Sequence, residues 1–277
     1  MKRFRAALKN KSNWPSLGPR HPLAPAHKRR HPMKKPIAII CAIALLLAIS
    51  PVIQASAEET PMITRIQCGV HNTYIVSQGD SAILVDTATS MYKNKILRAC
   101  ADKNIKLIVL THGHYDHAQN AAYLSEKLNA PIAMHPADLP LLEDILAEPL
   151  QGGDPISSML IGMLRLSKRP GFRWIGSFFR NEPFGLAVEL HDGFSLEPYG
   201  VDARIIGLPG HTRGSIGVVT PDALIAGDAL TNLFPPAGKA ALWSDIEAME
   251  ASAAKASALG ELTVYFGHGK PAQNKEW

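Results

Sequence analysis

The sequence predicts an α/β layered domain, on two observations. Short apolar runs rich in β-branched residues alternate with stretches of helical spacing from residue 62 to residue 266, without a clean linker. The chain is also large and apolar enough for a substantial core: 277 residues, 46% hydrophobic, with 21 Gly and 21 Pro. That composition excludes both disorder and collagen-like repetition.

The elements follow in order. Met62 to Ile75 and Ser81 to Asp86 read as paired strands across the turn Ser77-Gln78-Gly79-Asp80. Tyr92 to Lys103 has helical spacing, and Ile105 to Thr111 (IKLIVLT) is a continuous apolar run, the mark of a strand buried on both faces. Ala118 to Leu128 is again helical, and Pro131 to Met134 is a short strand. The second half repeats this grammar, with strands near Ala187–His191, Arg204–Leu208, Ile216–Thr220 and Ala223–Ile225, a helix over Ser244–Ala258, and a strand Leu262–Phe266. Residues 140–186 interrupt the pattern with Gly152-Gly153, Pro155 and Pro170-Gly171, and read as an insertion laid over the core.

Charge is distributed unevenly. The formal net charge is +5, yet residues 1–57 hold 11 of the 29 Lys and Arg and no Asp or Glu. The remainder carries 18 basic against 24 acidic residues, so nothing in it attracts phosphate backbones over long range, and no nucleic-acid partner is expected. The basic leader reads as an export signal. From Met33 it has two lysines, an apolar run from Ile37 to Ile49, the helix-breaking Pro51 and the small-residue cleavage site Ala55-Ser56-Ala57. Crossing a ~30 Å hydrocarbon core needs about 20 residues, more than this run supplies. Cleavage after Ala57 and a secreted or extracytoplasmic chain (58–277) are therefore expected rather than a retained membrane anchor, with Met33 as the start of translation. Export leaves Cys68 and Cys100, which suit a disulfide or two buried thiols equally.

Chemistry concentrates in the histidines. Of eleven, three (His21, His27, His31) lie in the leader, and three of the remaining eight fall within six residues. The segment Thr111-His112-Gly113-His114-Tyr115-Asp116-His117 follows directly on IKLIVLT, so the imidazoles leave a strand end and enter a helix start. A loop there aims several side chains at one point. Imidazole and carboxylate are the ligands of borderline divalent metals, and Gly113 permits the tight backbone that lets them converge. Three further strands end in glycine and one metal-capable side chain: His211 in PGHTRGS, Asp228 in AGD and His268 in GHG. One ion takes three or four ligands, so four candidates in a single motif point to a pair of sites. His71, His135 and His191 read as surface or hydrogen-bonded residues.

His112-x-His114-x-Asp116-His117 followed by His211, Asp228 and His268, with Asp86 in ILVDT upstream, resembles the metallo-β-lactamase superfamily over roughly Ile63 to Lys270. The resemblance implies a four-layered αββα sandwich with a binuclear metal site at one edge. It implies two zinc ions per chain, the first on His112, His114 and His211 and the second on Asp116, His117 and His268, with Asp228 bridging. Asp86 would orient the histidine loop without binding metal. Ala88 departs from the glycine that many members carry there. A metal-bridging hydroxide would be the nucleophile, and Asp116 would pass a proton to the leaving group.

The implied reaction is hydrolysis of an ester, lactone or thioester bond in a small-molecule substrate. Asp228 argues against the β-lactamases proper, which have a cysteine or a non-ligand there. The nine residues after His268 leave no room for the C-terminal glutathione-binding domain of glyoxalase II, and His114 argues against the diiron oxygen reductases. RNA-processing nucleases share the ligands, but the leader and the acidic body do not suit them. A phosphodiesterase or β-lactamase-type hydrolase, a mononuclear iron persulfide dioxygenase and a non-catalytic metal-binding relative stay as alternatives. Within the insertion, Arg165, Lys168, Arg169, Arg173 and Arg180 interleave with Met159, Leu160, Phe172, Trp174, Phe178 and Phe179. Three readings fit: a lid whose apolar residues cover the metals and whose cations meet an anionic substrate group, a solvated basic face over a satellite core, or a surface touching membrane or cell wall.

Overall fold

The computed structural model describes residues 59–277, so the expected export signal and its cleavage site lie outside the described residues. The first sheet orders its strands as β1 (Met62–Cys68), β2 (His71–Gln78), β3 (Ser81–Val85), β4 (Ile105–Val109), β5 (Ile132–Met134) and β6 (Val188–Glu189). It is antiparallel from β1 to β3 and parallel from β3 to β6. The second sheet contains β7 (Arg204–Gly207), β8 (Ile216–Val219), β9 (Ala223–Ile225), β10 (Thr263–Tyr265) and β11 (Ala272–Gln273), in the order β11-β10-β9-β8-β7.

Register explains the layering. Side chains alternate across a strand, so residues paired in one row share a face. Tyr74, Val85, Val109 and Ala133 form one such row and pack inward against Ile205, Val218 and Ile225 of the second sheet. The next row, Ile75, Leu84, Ile108 and Ile132, faces outward and is covered by Ile96 of α1 (Lys93–Ala99) and Leu124 of α3 (Ala121–Leu128). Ile206, Leu224 and Val264 on the outer face of the second sheet meet Ala253 and Ala256 of α6 (Ile246–Ser257). The result is the expected αββα sandwich. β4 is buried on both faces, which is why IKLIVLT carries no polar alternation.

Three local features differ from the sequence reading. The run Met62 to Ile75 is two strands, because Gly69 turns the chain in a left-handed conformation (φ 68°) that a Cβ would obstruct against the Tyr92 hydroxyl. The helix expected over Ala118–Leu128 is split into α2 (Tyr115–Ala118) and α3. The His117 carbonyl that a continuous helix would use accepts instead from the Thr87 backbone N–H (2.7 Å) and the Thr87 hydroxyl (2.8 Å). The insertion also holds the short α4 (Leu139–Glu143) and a 12-residue helix, α5 (Pro155–Leu166), that the sequence reading passed over. Its signals are present. Asp154 accepts the N–H groups of Ile156 (2.8 Å) and Ser157 (3.0 Å), Pro155 occupies the first turn, and Leu160, Ile161 and Leu164 fall at helical spacing.

Cys68 and Cys100 are buried free thiols, and burial pushes Cys100 up to about 12. No helix among the described residues is long and apolar enough to cross a membrane.

Leu107 is fully buried between the sheets. Leu107→Ala is expected to cost about 2–5 kcal/mol in denaturant unfolding. The same change at Met91, 81% exposed, is expected to stay within about 0.5 kcal/mol.

Candidate metal centre

The strand ends of both sheets meet at one edge of the sandwich. The segment after β4 supplies His112, His114, Asp116 and His117, and the loops after β7, β9 and β10 supply His211, Asp228 and His268. All seven expected residues come together there. Ligand-capable atoms of His112, His114 and His211 lie within 4.8 Å of one another, as do those of His112, His117 and Asp228, and those of His71, Asp116 and His268.

Each imidazole is aimed by what its outer nitrogen meets. Asp86 is buried at the end of β3, where Oδ1 accepts the Thr111 backbone N–H (2.8 Å) and Oδ2 accepts the Thr111 hydroxyl (2.9 Å). The same Oδ2 lies 2.9 Å from His117 Nδ1, which turns Nε2 into the site. His211 Nδ1 donates to the Leu242 carbonyl (2.8 Å) and His268 Nδ1 to the Val70 carbonyl (3.0 Å), with the same consequence. His112 Nδ1 sits 3.1 Å from the Thr111 hydroxyl, and its Nε2 is buried without a hydrogen-bond partner. His114 presents Nδ1, 3.0 Å from His211 Nε2. Asp228 stands between the two groups. Its Oδ1 is 3.4 Å from His117 Nε2, and its Oδ2 is 3.1 Å from His268 Nε2 and 3.8 Å from His211 Nε2.

Charge separates the two halves. Burial drives His112 well below the usual imidazole range and His114 to about 3, so both keep a free lone pair. Burial also opposes charge on His117 and His268. There, however, Asp228 and its neighbours prevail, holding His117 well above the imidazole range and His268 up to about 10. Asp116 and Asp228 would be raised by burial but are held well below the carboxylate range by His117 and His268. The two carboxylates thus favour positive charge in the space between them, which divalent cations would supply. The orphaned His112 Nε2 and Asp228 Oδ1, with imidazole and carboxylate donors converging on two points, fit a pair of divalent metals.

Two residues at the centre escaped the sequence reading. His71, expected among the surface or hydrogen-bonded residues, lies in the site with Nδ1 3.3 Å from Asp116 Oδ2 and its ring centroid 5.0 Å from that of His268. The unread turn at Gly69 concealed it, because a strand running on to Ile75 does not end beside the metal loops. Asp138 is fully buried and joins the two histidine loops. It accepts the Gly113 N–H (2.9 Å), the Thr212 hydroxyl (2.7 Å) and the Gly214 N–H (2.6 Å). A Cβ at 214 would stand 2.5 Å from Asp138 Oδ1, so glycine is needed there. Burial pushes Asp138 up to about 6 despite these donors. Its signal was a carboxylate four residues beyond an apolar strand. His135 and His191 stack edge to face at 5.0 Å outside the three donor clusters, and His135 Nδ1 accepts the Ala137 N–H (3.2 Å), as expected of surface or hydrogen-bonded residues.

A cavity of about 370 Å³ opens over the site, with His71, His114, Asp116, His211, Asp228 and His268 on its floor. The insertion forms one wall of the cavity through α5. Helical geometry sets Leu160 and Leu164 on the cavity face and turns Arg165 away toward the Leu150 carbonyl (3.4 Å), while Lys168 pairs with Asp144. Among the described side chains, no Lys or Arg lines the cavity.

A family model described as the metallo-beta-lactamase superfamily matches residues 66–268. An uncharacterized protein of Mycobacterium tuberculosis is 32% identical over 150 residues, covering 52% of this chain and 58% of that protein. A probable metallo-hydrolase of Methanocaldococcus jannaschii is 28% identical over 57% of this chain and 66% of its own length. Among solved structures, TTHA1623 in a di-iron-bound form superposes with a TM-score of 0.55 at 25% identity, covering 76% of this chain and 94% of that one.

Asp138→Ala is expected to weaken metal affinity about 10–100-fold by freeing the two loops, read by competition with a chromophoric chelator. Metal loading must also displace the protons that Asp228 and Asp116 hold on His117 and His268. Affinity should therefore rise between pH 6 and 9, roughly tenfold per pH unit for each proton displaced, and a flat profile would contradict the charge assignment.

Proposed function

Because the chain belongs to the metallo-beta-lactamase superfamily, we propose that it is an exported two-zinc hydrolase cleaving an ester, lactone or thioester bond in a small-molecule substrate. One observation carries this reading: two groups of imidazole and carboxylate donors flank Asp228 at the floor of a substrate-sized cavity. His112, His114 and His211 would hold one ion, and Asp116, His117 and His268 the other. A bound pair of divalent cations supplies Lewis acidity and brings the pKa of a water from about 15.7 toward about 7.

The remaining work falls to the chain itself. Asp86 and Asp138 hold the histidine loop in place, so little reorganisation accompanies the reaction. Asp116 Oδ2 faces the cavity between His71, His117 and His268, the position from which a proton can be passed to a leaving group. Apolar walls exclude water around the scissile bond. No protein nucleophile is required. Cys68 and Cys100 are buried in the outer core, and the Ser215 hydroxyl is engaged by Thr212. The donor set suits zinc or iron, and zinc is the reading favoured by its ordinary role in hydrolysis. Export is supported by the composition of the leader, and the acidic body supports a small-molecule rather than a nucleic-acid substrate.

Elemental analysis together with a panel of lactone, thioester, ester, phosphodiester and β-lactam substrates tests this function. The expected result is about two zinc per chain with turnover of an ester, lactone or thioester. One iron per chain without hydrolysis would overturn it in favour of the dioxygenase chemistry. Asp228→Asn is expected to lower kcat/KM on the order of 10²–10³-fold, and Asp116→Asn at least about 10²-fold with a changed pH profile.

A further inference from the structure

We propose that the cavity above the metal centre is an acyl-chain pocket, and that the substrate is a neutral ester, lactone or thioester with an apolar acyl group of medium length. This rests on the hydrolase reading and adds the chemical class that the site selects. Ile145, Leu160, Leu164, Phe179 and Leu242 pack together as one apolar wall, and Leu233 and Phe234 also line the cavity. Two of the polar side chains on these walls are already engaged, and Tyr115 turns its ring against Phe179 at a centroid distance of 4.9 Å. Asp154 caps α5 through the Ile156 and Ser157 N–H groups and accepts the Ser157 hydroxyl, while the Thr231 hydroxyl accepts the Leu233 N–H (3.3 Å).

Among the described side chains an anionic tail in this space would meet no Lys or Arg and would lie near the Asp154 carboxylate, whereas a hydrocarbon tail loses nothing by entering. The insertion's described cations do not alter this balance, since none of them lines the cavity. The wall is also fixed to the chemistry. The two-residue strand Leu242–Trp243 pairs with Gln151–Gly152 just before α5, the Leu242 side chain lines the cavity, and the Leu242 carbonyl orients His211. An acyl chain packed on Leu242 therefore has its carboxyl end beside His211. At about 370 Å³ the cavity lies toward the small end of ligand sites, which favours medium chains. Ile156 and Phe234, 64% and 74% exposed, leave the mouth apolar for an amphiphile to enter.

Binding of neutral, non-hydrolysable 2-alkanones from 2-pentanone to 2-nonanone, measured by titration calorimetry, tests the pocket without turnover. Kd is expected to fall about fourfold per methylene, the equivalent of ~0.8 kcal/mol per buried CH₂. A terminal carboxylate on the nine-carbon ketone should weaken binding about tenfold or more. Leu160→Trp should end the gain at a shorter chain and Phe179→Ala at a longer one, so either folded variant suffices. A Kd independent of chain length, or equal binding of the carboxylated ketone, would overturn the pocket. Phenyl acetate hydrolysis by the zinc-loaded protein separates the two readings. A flat ketone series with hydrolysis removes the pocket alone, and a steep series without hydrolysis upholds the pocket while removing the hydrolase.

Discussion

Two buried carboxylates clamp the histidine loop, and the rest of the site depends on them. The loop leaves β4, whose neighbours in the sheet are β3 and β5. Asp86 follows β3 and Asp138 lies just beyond β5, so each neighbouring strand sends one carboxylate to one side of the loop. Asp86 takes the Thr111 amide and hydroxyl and faces His117, while Asp138 takes the Gly113 amide and ties it to Gly214 in the loop that carries His211. A flexible loop of three imidazoles would lose conformational entropy on every binding event. Here that ordering is completed by folding, through charge-assisted hydrogen bonds out of reach of water.

The cost of this arrangement is electrostatic. Asp116 and Asp228 face the His117 and His268 imidazoles, and Asp116 also faces His71, so two carboxylates in a largely enclosed site depend on nearby positive charge. Buried ion pairs recover little net stability, because desolvation consumes most of their attraction. A centre built this way is suited to exchange protons for cations. The neutral His112 and His114 beside it accept a cation without losing a proton first.

The donors and the cavity wall come from different parts of the chain. The metal-capable donors stand at strand ends held by two sheets, whereas the cavity wall comes largely from α5 and the segment near Leu242. The two meet at Leu242, whose carbonyl holds His211 and whose side chain faces the cavity. An insertion attached in this way can change its side chains without disturbing the sheets, since its small core of Leu150, Ile161 and Leu164 is separate from the cores between and outside them.

The sequence by itself determined the alternation of strands and helices, the double burial of β4 and the seven donors that meet at the site. Each of those is written locally, as a periodicity or as a side chain a fixed step beyond an apolar run. Only the tertiary structure decided where His71 and Asp138 lie, where the helix after His117 breaks, and that α5 turns Leu160 and Leu164 to the cavity. These outcomes depend on partners distant in the chain: Gly214 is 76 residues from Asp138, and Thr87 is 30 residues from the His117 carbonyl it takes. A hydrogen bond of that span leaves no period in the sequence. Whether it forms is settled by the packing that brings its two ends together.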